Sequence, residues 1–121
     1  VSVHAAERPE TIHLISDKEF ELMKKSAYII NTARGPIIDE KAMVRALQNG
    51  EIAGAGLDVY ENEPQIEKEL FAMDNVVLAP HLGSAGKDVR EGMAHRVVDN
   101  IEALIDGTTP PNCVNPETLK K

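Results

Sequence analysis

"AYIINTARGPIIDEKAMVRALQNGEIAGAGLDV", Ala27 to Val59, decides the fold. "AYII" is a near-continuous apolar run, the pattern of a strand covered on both faces. After the "ARGP" turn, Asp39 stands where a helix N-cap belongs. Ala42, Met43, Ala46 and Leu47 then share one helical face, and Gly50 falls where the helix must stop. "IAGAGLDV" follows as a second apolar strand. Strand, helix and strand in immediate succession predict a parallel crossover unit.

The same alternation continues on both sides. "VSVH" (Val1 to His4) reads as a short β-branched strand, and "ERPET" as the loop behind it. "SDKE" at Ser16 to Glu19 is a capping-box signature, with Phe20, Met23 and Lys24 continuing a short amphipathic helix. "QIEKELFAM" reads as a short helix or turn, and "NVVLAP" as a fourth strand. From Gly86 to Asp106 the apolar residues Val89, Met93, Val97, Ile101 and Leu104 recur at helical spacing, predicting a helix roughly 30 Å long with a packed face. Gly107 ends it, and the tail "TTPPNCVNPETLKK" is expected to lie extended. The fold class is α/β, a parallel sheet with right-handed crossovers whose consecutive strands lie on one half of an open sheet, plus a long C-terminal helix.

Composition narrows the function. The chain has 121 residues, 42% hydrophobic and 27% charged, with a net charge of −7 and no basic block. That argues against nucleic acid or an anionic membrane surface as partner. No apolar run approaches the roughly 20 residues of a membrane span. The single Cys113 cannot form an internal disulfide, so a reducing cytoplasm is the expected compartment. No residue is assigned to a metal. The opening "VSVHAAERPET" has no initiating Met and starts in strand-like sequence, which predicts a piece of a longer chain.

Each apolar strand is followed by a chemically active residue. Arg34 follows "AYII" in "NTARG"; Asp58, Glu61 and Glu63 follow "IAGAGL"; His81 follows "NVVLAP". In open α/β sheets ligands bind at the C-terminal edge of the strands. A cation for an anionic substrate, a titratable imidazole and a carboxylate to orient it make a plausible catalytic set. The competing reading is that loops are polar anyway and that Arg34 is a solvated turn residue.

"MKKSAYIINTARGPIIDEKAMVRALQNGEIAGAGLDVYENEP", followed by "NVVLAPHLGSA", resembles the C-terminal half of the coenzyme domain of the D-isomer-specific 2-hydroxyacid dehydrogenases. The likeness, of the glycerate or hydroxypyruvate reductase kind, runs from "VSVHAAERPETIHLI" to "NCVN". It implies the second half of a Rossmann-type dinucleotide-binding domain at residues 1–85, a helix at 86–107 returning toward a substrate domain, and a tail at 108–121. It implies NAD or NADP as cofactor, a small 2-oxo or 2-hydroxy acid as substrate, and a homodimer in the full-length protein. Arg34, Glu63 and His81 match the family's catalytic arginine, acid and histidine. Asp58 matches the aspartate that contacts the nicotinamide carboxamide, and Thr32, Ala33, Gly83 and Ser84 match positions lining the nicotinamide end of the cofactor site.

Other polar residues are expected to lie outside the site. His13 and His95 read as surface or satisfied core residues, Glu61 as a solvated neighbour of Glu63, and Met43, Met73 and Met93 as core filler. His4 sits at a strand end near the family's adenosine half. The "GAG" at Gly54 to Gly56 lies inside a strand and reads as close packing, not as a dinucleotide fingerprint. Three departures stand out. Ala6 replaces a usual proline, Gly86 a frequent threonine, and Glu63 contrasts with the glutamine of formate-oxidising relatives. The G-x-G-x-x-G turn and the residue that separates NAD from NADP are absent from these residues. The expectation is therefore that this chain alone is an incomplete, inactive enzyme. Two rival readings remain: a cofactor-regulated corepressor-like binding protein of the same fold, and a half-domain that acts only with a partner chain.

Overall fold

In a computed structural model, residues 1–119 are described. The chain divides between Gly83 and Ser84 into two units. The first carries four parallel strands in the spatial order β1-β2-β3-β4: β1 (Ser2–Val3), β2 (Tyr28–Asn31), β3 (Gly54–Leu57) and β4 (Val76–Leu78). Helix α1 (Asp17–Glu21) lies between β1 and β2, and α2 (Glu40–Gln48) between β2 and β3. The "QIEKELFAM" segment forms a 3-10 turn at Lys68–Ala72 before β4. The α/β alternation and the parallel sheet are as the sequence predicts.

The β2–β3 ladder pairs Tyr28 with Gly54, Ile29 with Ala55, Ile30 with Gly56 and Asn31 with Leu57. A Cβ at Gly54 would lie 2.8 Å from the Tyr28 ring, and one at Gly56 would lie 2.9 Å from Ile30 Cδ1. The two glycines make room for side chains of the neighbouring strand, which accounts for "GAG" as packing. The core lies on one face of the sheet, where Phe20, Ile29, Ile37, Met43, Leu47, Ile52 and Leu70 come together. Here one expectation fails. Within the described residues β2 is covered on one face only: Ile29 and Asn31 are buried, while Tyr28 and Ile30 are exposed.

Both helix starts follow their sequence signals. The Ser16 amide donates to the Glu19 carboxylate at 3.0 Å, while the Ser16 hydroxyl donates to Asp39 at 3.0 Å. Asp39 in turn accepts from the Ala42 amide at 2.9 Å and caps α2. Burial acts to raise the Asp39 carboxyl. The Ala42 amide, the Ser16 hydroxyl and the nearby His13 and Arg45 outweigh it and hold the group below its ordinary value. Ala42, Met43, Ala46 and Leu47 are all buried, and Gly50 terminates α2 in the left-handed region with φ +66°.

The second unit contains α3 (Lys87–Ile105), ended by Gly107 with φ +69°. The expected packed face is not packed among the described residues: Val89, Met93, Val97, Ile101 and Leu104 are all exposed, so Met93 is not core filler. The tail also departs from a purely extended path. Asn100 and Asn112 bond to each other, the Asn112 amide donating to Asn100 Oδ1 at 3.1 Å and Asn100 Nδ2 to Asn112 Oδ1 at 3.1 Å. A 3-10 turn follows at Pro116–Leu119. No helix among the described residues is long and apolar enough to cross a membrane.

The contrast between the two units is measurable in this chain. Ile29→Ala should cost about 2–5 kcal/mol, the range for truncating a fully buried aliphatic side chain. Val97, 59% exposed, should lose no more than about 0.5 kcal/mol on truncation to Ala. Denaturant midpoints of the two variants check both values.

Candidate active site

The arginine turn is built on a buried asparagine. Asn31, the last residue of β2, is 1% exposed. Its Nδ2 donates to the Arg34 carbonyl at 3.0 Å, and its Oδ1 accepts from the Ala33 amide at 3.1 Å. One side chain thus replaces the backbone partners that the chain gives up on leaving the sheet. Beyond it, residues 36–39 are held from the other side. The His13 amide donates to the Pro36 carbonyl at 2.8 Å, the Ile15 amide to Ile37 at 3.1 Å, and the Asp39 amide to Ile15 at 2.9 Å. Gly35 lies against the backbone of the β3 loop, where a Cβ would collide with the Tyr60 carbonyl. Only a residue without a side chain lets these two strand ends approach so closely.

The segment after β3 is fixed by similar means. The Tyr60 hydroxyl donates to the Ala79 carbonyl at 2.7 Å, tying the end of β3 to the end of β4. Burial pushes its phenol above the ordinary value. The Tyr60 amide donates to Glu63 Oε1 at 3.1 Å, curling the loop so that the Glu63 carboxylate turns back. Asp58 accepts from the Leu82 amide at 2.7 Å and the Gly83 amide at 3.1 Å, and so anchors the loop that carries His81.

His81 and Glu63 meet. His81 Nδ1 lies 2.9 Å from Glu63 Oε2 and 3.1 Å from Oε1. An ionised carboxylate only accepts, so Nδ1 carries the proton and Nε2 is the ring nitrogen left for other work. His81 also has φ +54°, an uncommon conformation for a residue with a side chain. Such backbone is held by its surroundings, and the two amide bonds to Asp58 are at hand to hold it. The His81 hydrogen bond is the main cause that keeps the Glu63 carboxyl below its ordinary value. Burial opposes this, and the Tyr60 amide and the Arg34 guanidinium add to it.

Arg34, Glu63 and His81 line one cleft of about 300 Å³, together with Gly35, Tyr60 and Glu7. Thr32 and Ala33 line an adjoining groove of about 510 Å³ with His4, Ala5 and Ala6, and Arg34 borders both. Asp58 and Gly83 are bonded to each other at the base of the His81 loop, and Ser84 is the first residue of the second unit. Arg34 reaches the cleft edge with Nη1 donating to the Ala33 carbonyl at 2.7 Å. The sequence reading missed the supports of this arrangement. Asn31 had only its place at the end of an apolar run as a signal. Glu61 is a correction: instead of a solvated neighbour, its carboxylate accepts from the Glu40 amide at 3.0 Å and pairs with His13 Nε2 at 2.7 Å.

A parallel sheet that delivers an arginine, a carboxylate and a histidine to one edge defines a class that comparison with known proteins makes specific. Residues 1–83 match the family model of the D-isomer specific 2-hydroxyacid dehydrogenase NAD binding domain. A glyoxylate reductase of Thermococcus litoralis is 51% identical over 119 residues, covering 98% of this chain and 36% of the relative. The crystal structure of an NADPH-dependent glyoxylate/hydroxypyruvate reductase from Sinorhizobium meliloti, in complex with NADP and malonate, superposes with a TM-score of 0.81 at 40% identity, covering 86% of this chain and 33% of that one. D-lactate dehydrogenase with NAD+ from Lactobacillus jensenii gives 0.84 at 30% identity, covering 91% and 37%. The chain belongs to the D-isomer specific 2-hydroxyacid dehydrogenase family. It spans about a third of the length of the curated relatives it matches.

Gly35→Ala tests the close approach of the two loops. The added methyl has no space, so the variant should lose at least about 1–3 kcal/mol, the usual cost of overpacking. The amide resonances of Tyr60 and Glu61 should move with it in a two-dimensional NMR spectrum.

Proposed function

We propose that these residues form the second half of the coenzyme domain of an NAD(P)-dependent D-2-hydroxyacid dehydrogenase that interconverts a small 2-oxo acid and its 2-hydroxy acid. One observation carries the reading: the His81–Glu63 pair leaves Nε2 free in the same cleft that Arg34 borders. The arginine fork forms two parallel bonds to the substrate carboxylate, a geometry lysine does not reproduce. His81 gives the Nε2 proton to the carbonyl oxygen in reduction and takes it back in oxidation. Glu63 holds the imidazole in its Nδ1–H form and favours the charged state that donates.

The nicotinamide cofactor, when bound, supplies or accepts the hydride at the substrate carbon. The residues present suit its nicotinamide end. Thr32 and Ala33 offer small side chains along the groove beside Arg34, and a Cβ at Gly83 would meet nothing nearer than Asp58 Oδ2 at 3.9 Å, so that position is open. Asp58 and Gly83, bonded to each other, complete this end of the site. Glyoxylate and hydroxypyruvate are the substrates to try first, since relatives carry those names. The same reading places 1–85 in the coenzyme domain, gives the exposed face of α3 at 86–107 to the substrate domain of a longer chain, and leaves 108–121 as tail. A homodimer in a reducing cytoplasm completes it.

Glu63→Gln in the intact protein tests the assignment through pH. The His81 hydrogen bond holds the Glu63 carboxyl below its ordinary value, so Glu63 carries its charge at neutral pH. Removing that charge takes away a partner of the imidazolium, and His81 then gives up its proton at lower pH. The alkaline limb of kcat/KM for reduction should move toward acid, and oxidation, which needs neutral His81, should extend further into acid. Limbs that stay in place, or move toward alkali, contradict the role of Glu63.

A further inference from the structure

Glu40, the first residue of α2, is a carboxylate only 5% exposed, and the mechanism above does not use it. Its two oxygens are spent on one loop. Oε2 accepts from the Glu61 amide at 3.0 Å and Oε1 from the Glu67 amide at 2.8 Å. Those residues bracket Glu63, two positions before it and four after. The Glu61 carboxylate returns the contact, accepting from the Glu40 amide at 3.0 Å, an otherwise orphaned donor in the first turn of α2. His13 Nε2 closes the set against Glu61 at 2.7 Å.

A buried carboxylate is costly without partners, and in this place both oxygens are used to span a loop. The Glu61–Glu67 stretch crosses from β3 toward β4 without regular structure apart from the bond of the Gln65 amide to the Asn62 carbonyl at 2.9 Å. Besides the Tyr60 amide bond to Glu63 and the Asn62–Gln65 turn, these two contacts tie the loop to α2. We infer that Glu40 is a positioning residue: it clamps the two flanks of the Glu63 loop to α2, and thereby holds the Glu63 carboxylate on His81 Nδ1. This rests on the reading of Glu63 and His81 as the acid–base pair. The titratable groups that share their cleft are Arg34, Tyr60, Glu61 and Glu7; those around Glu40 are Glu61 and His13 through the clamp, and Glu67, Lys68 and Glu69 along the cavity it borders.

The test reads His81 directly, without turnover. In nitrogen-15 spectra of the intact protein, above the pH at which the ring becomes neutral, the two ring nitrogens report which one carries the proton. The parent should hold it on Nδ1. Glu63→Gln removes the charged acceptor, and the ratio of Nδ1–H to Nε2–H should fall on the order of tenfold, the change expected on losing a hydrogen bond to a charged group. Glu40→Gln puts an amide NH2 where one backbone N–H must be accepted, so the same ratio should fall severalfold. Glu40→Asp keeps the charge but cannot span both amides, and should give a smaller fall in the same direction. Asp39→Ala, which removes the neighbouring cap, should lower stability without moving the ratio. A parent-like ratio in both Glu40 variants, with Glu63→Gln shifted, overturns the clamp. A parent-like ratio in Glu63→Gln overturns the pairing on which it rests.

Discussion

The parallel ladder between β2 and β3 is the constraint on which the rest depends. Its register pairs Asn31 with Leu57, and the Asp58 amide donates to the Asn31 carbonyl at 3.0 Å just beyond. Both strands therefore release their loops at one level of the sheet. The β3–β4 ladder extends that level to Leu78, paired with Leu57, so that the His81 loop starts three residues further on. Glycines at 54 and 56 let β3 lie beneath the Tyr28 and Ile30 side chains. A one-residue slip would turn Asn31 out of its buried position and Ile30 into it, and the arginine turn would lose its support.

Above the sheet, order comes from side chains bonded to backbone. Asn31 holds the Arg34 turn, Asp58 the His81 loop, Glu40 the two flanks of the Glu63 loop, and Tyr60 the two strand ends. Each satisfies groups that irregular backbone would otherwise leave unpaired, and among the described residues no buried side-chain polar atom lacks a partner. Arg34, Glu63 and His81 are left exposed, whereas Asn31, Glu40 and Tyr60 are buried and Asp58 is half-buried. On the proposed reading this suits a preorganised site: the groups that would meet a ligand are open, and the side chains that hold their loops are more deeply placed.

Legibility in the sequence followed the same division. Elements with periodic patterns or cap signals could be read directly, as with Asp39, the buried face of α2 and the stop at Gly50. The three strand-end residues were visible because apolar runs mark where loops begin. The clamps were not, since a Glu in the first turn of a helix reads as an ordinary dipole partner and nothing local shows that Glu40 faces a loop twenty-one residues away. Glu61 was misread for the same reason. The apolar spacing along α3 showed a helix and its stripe correctly, but periodicity reports which residues share a face and not what covers it, and that face is exposed here. The apolar run of β2 likewise implied two covered faces where the described residues cover one.

The central claim is that Arg34 presents a fork to the carboxylate of a 2-oxo acid beside His81. Arg34→Lys preserves the charge and removes the fork, so it isolates that claim. Reduction of glyoxylate by the intact protein should show kcat/KM falling about tenfold to a hundredfold, the loss of one charge-assisted hydrogen bond from a bidentate pair. Cofactor affinity and melting temperature should stay near the parent values. A lysine variant with parent kcat/KM would contradict the account.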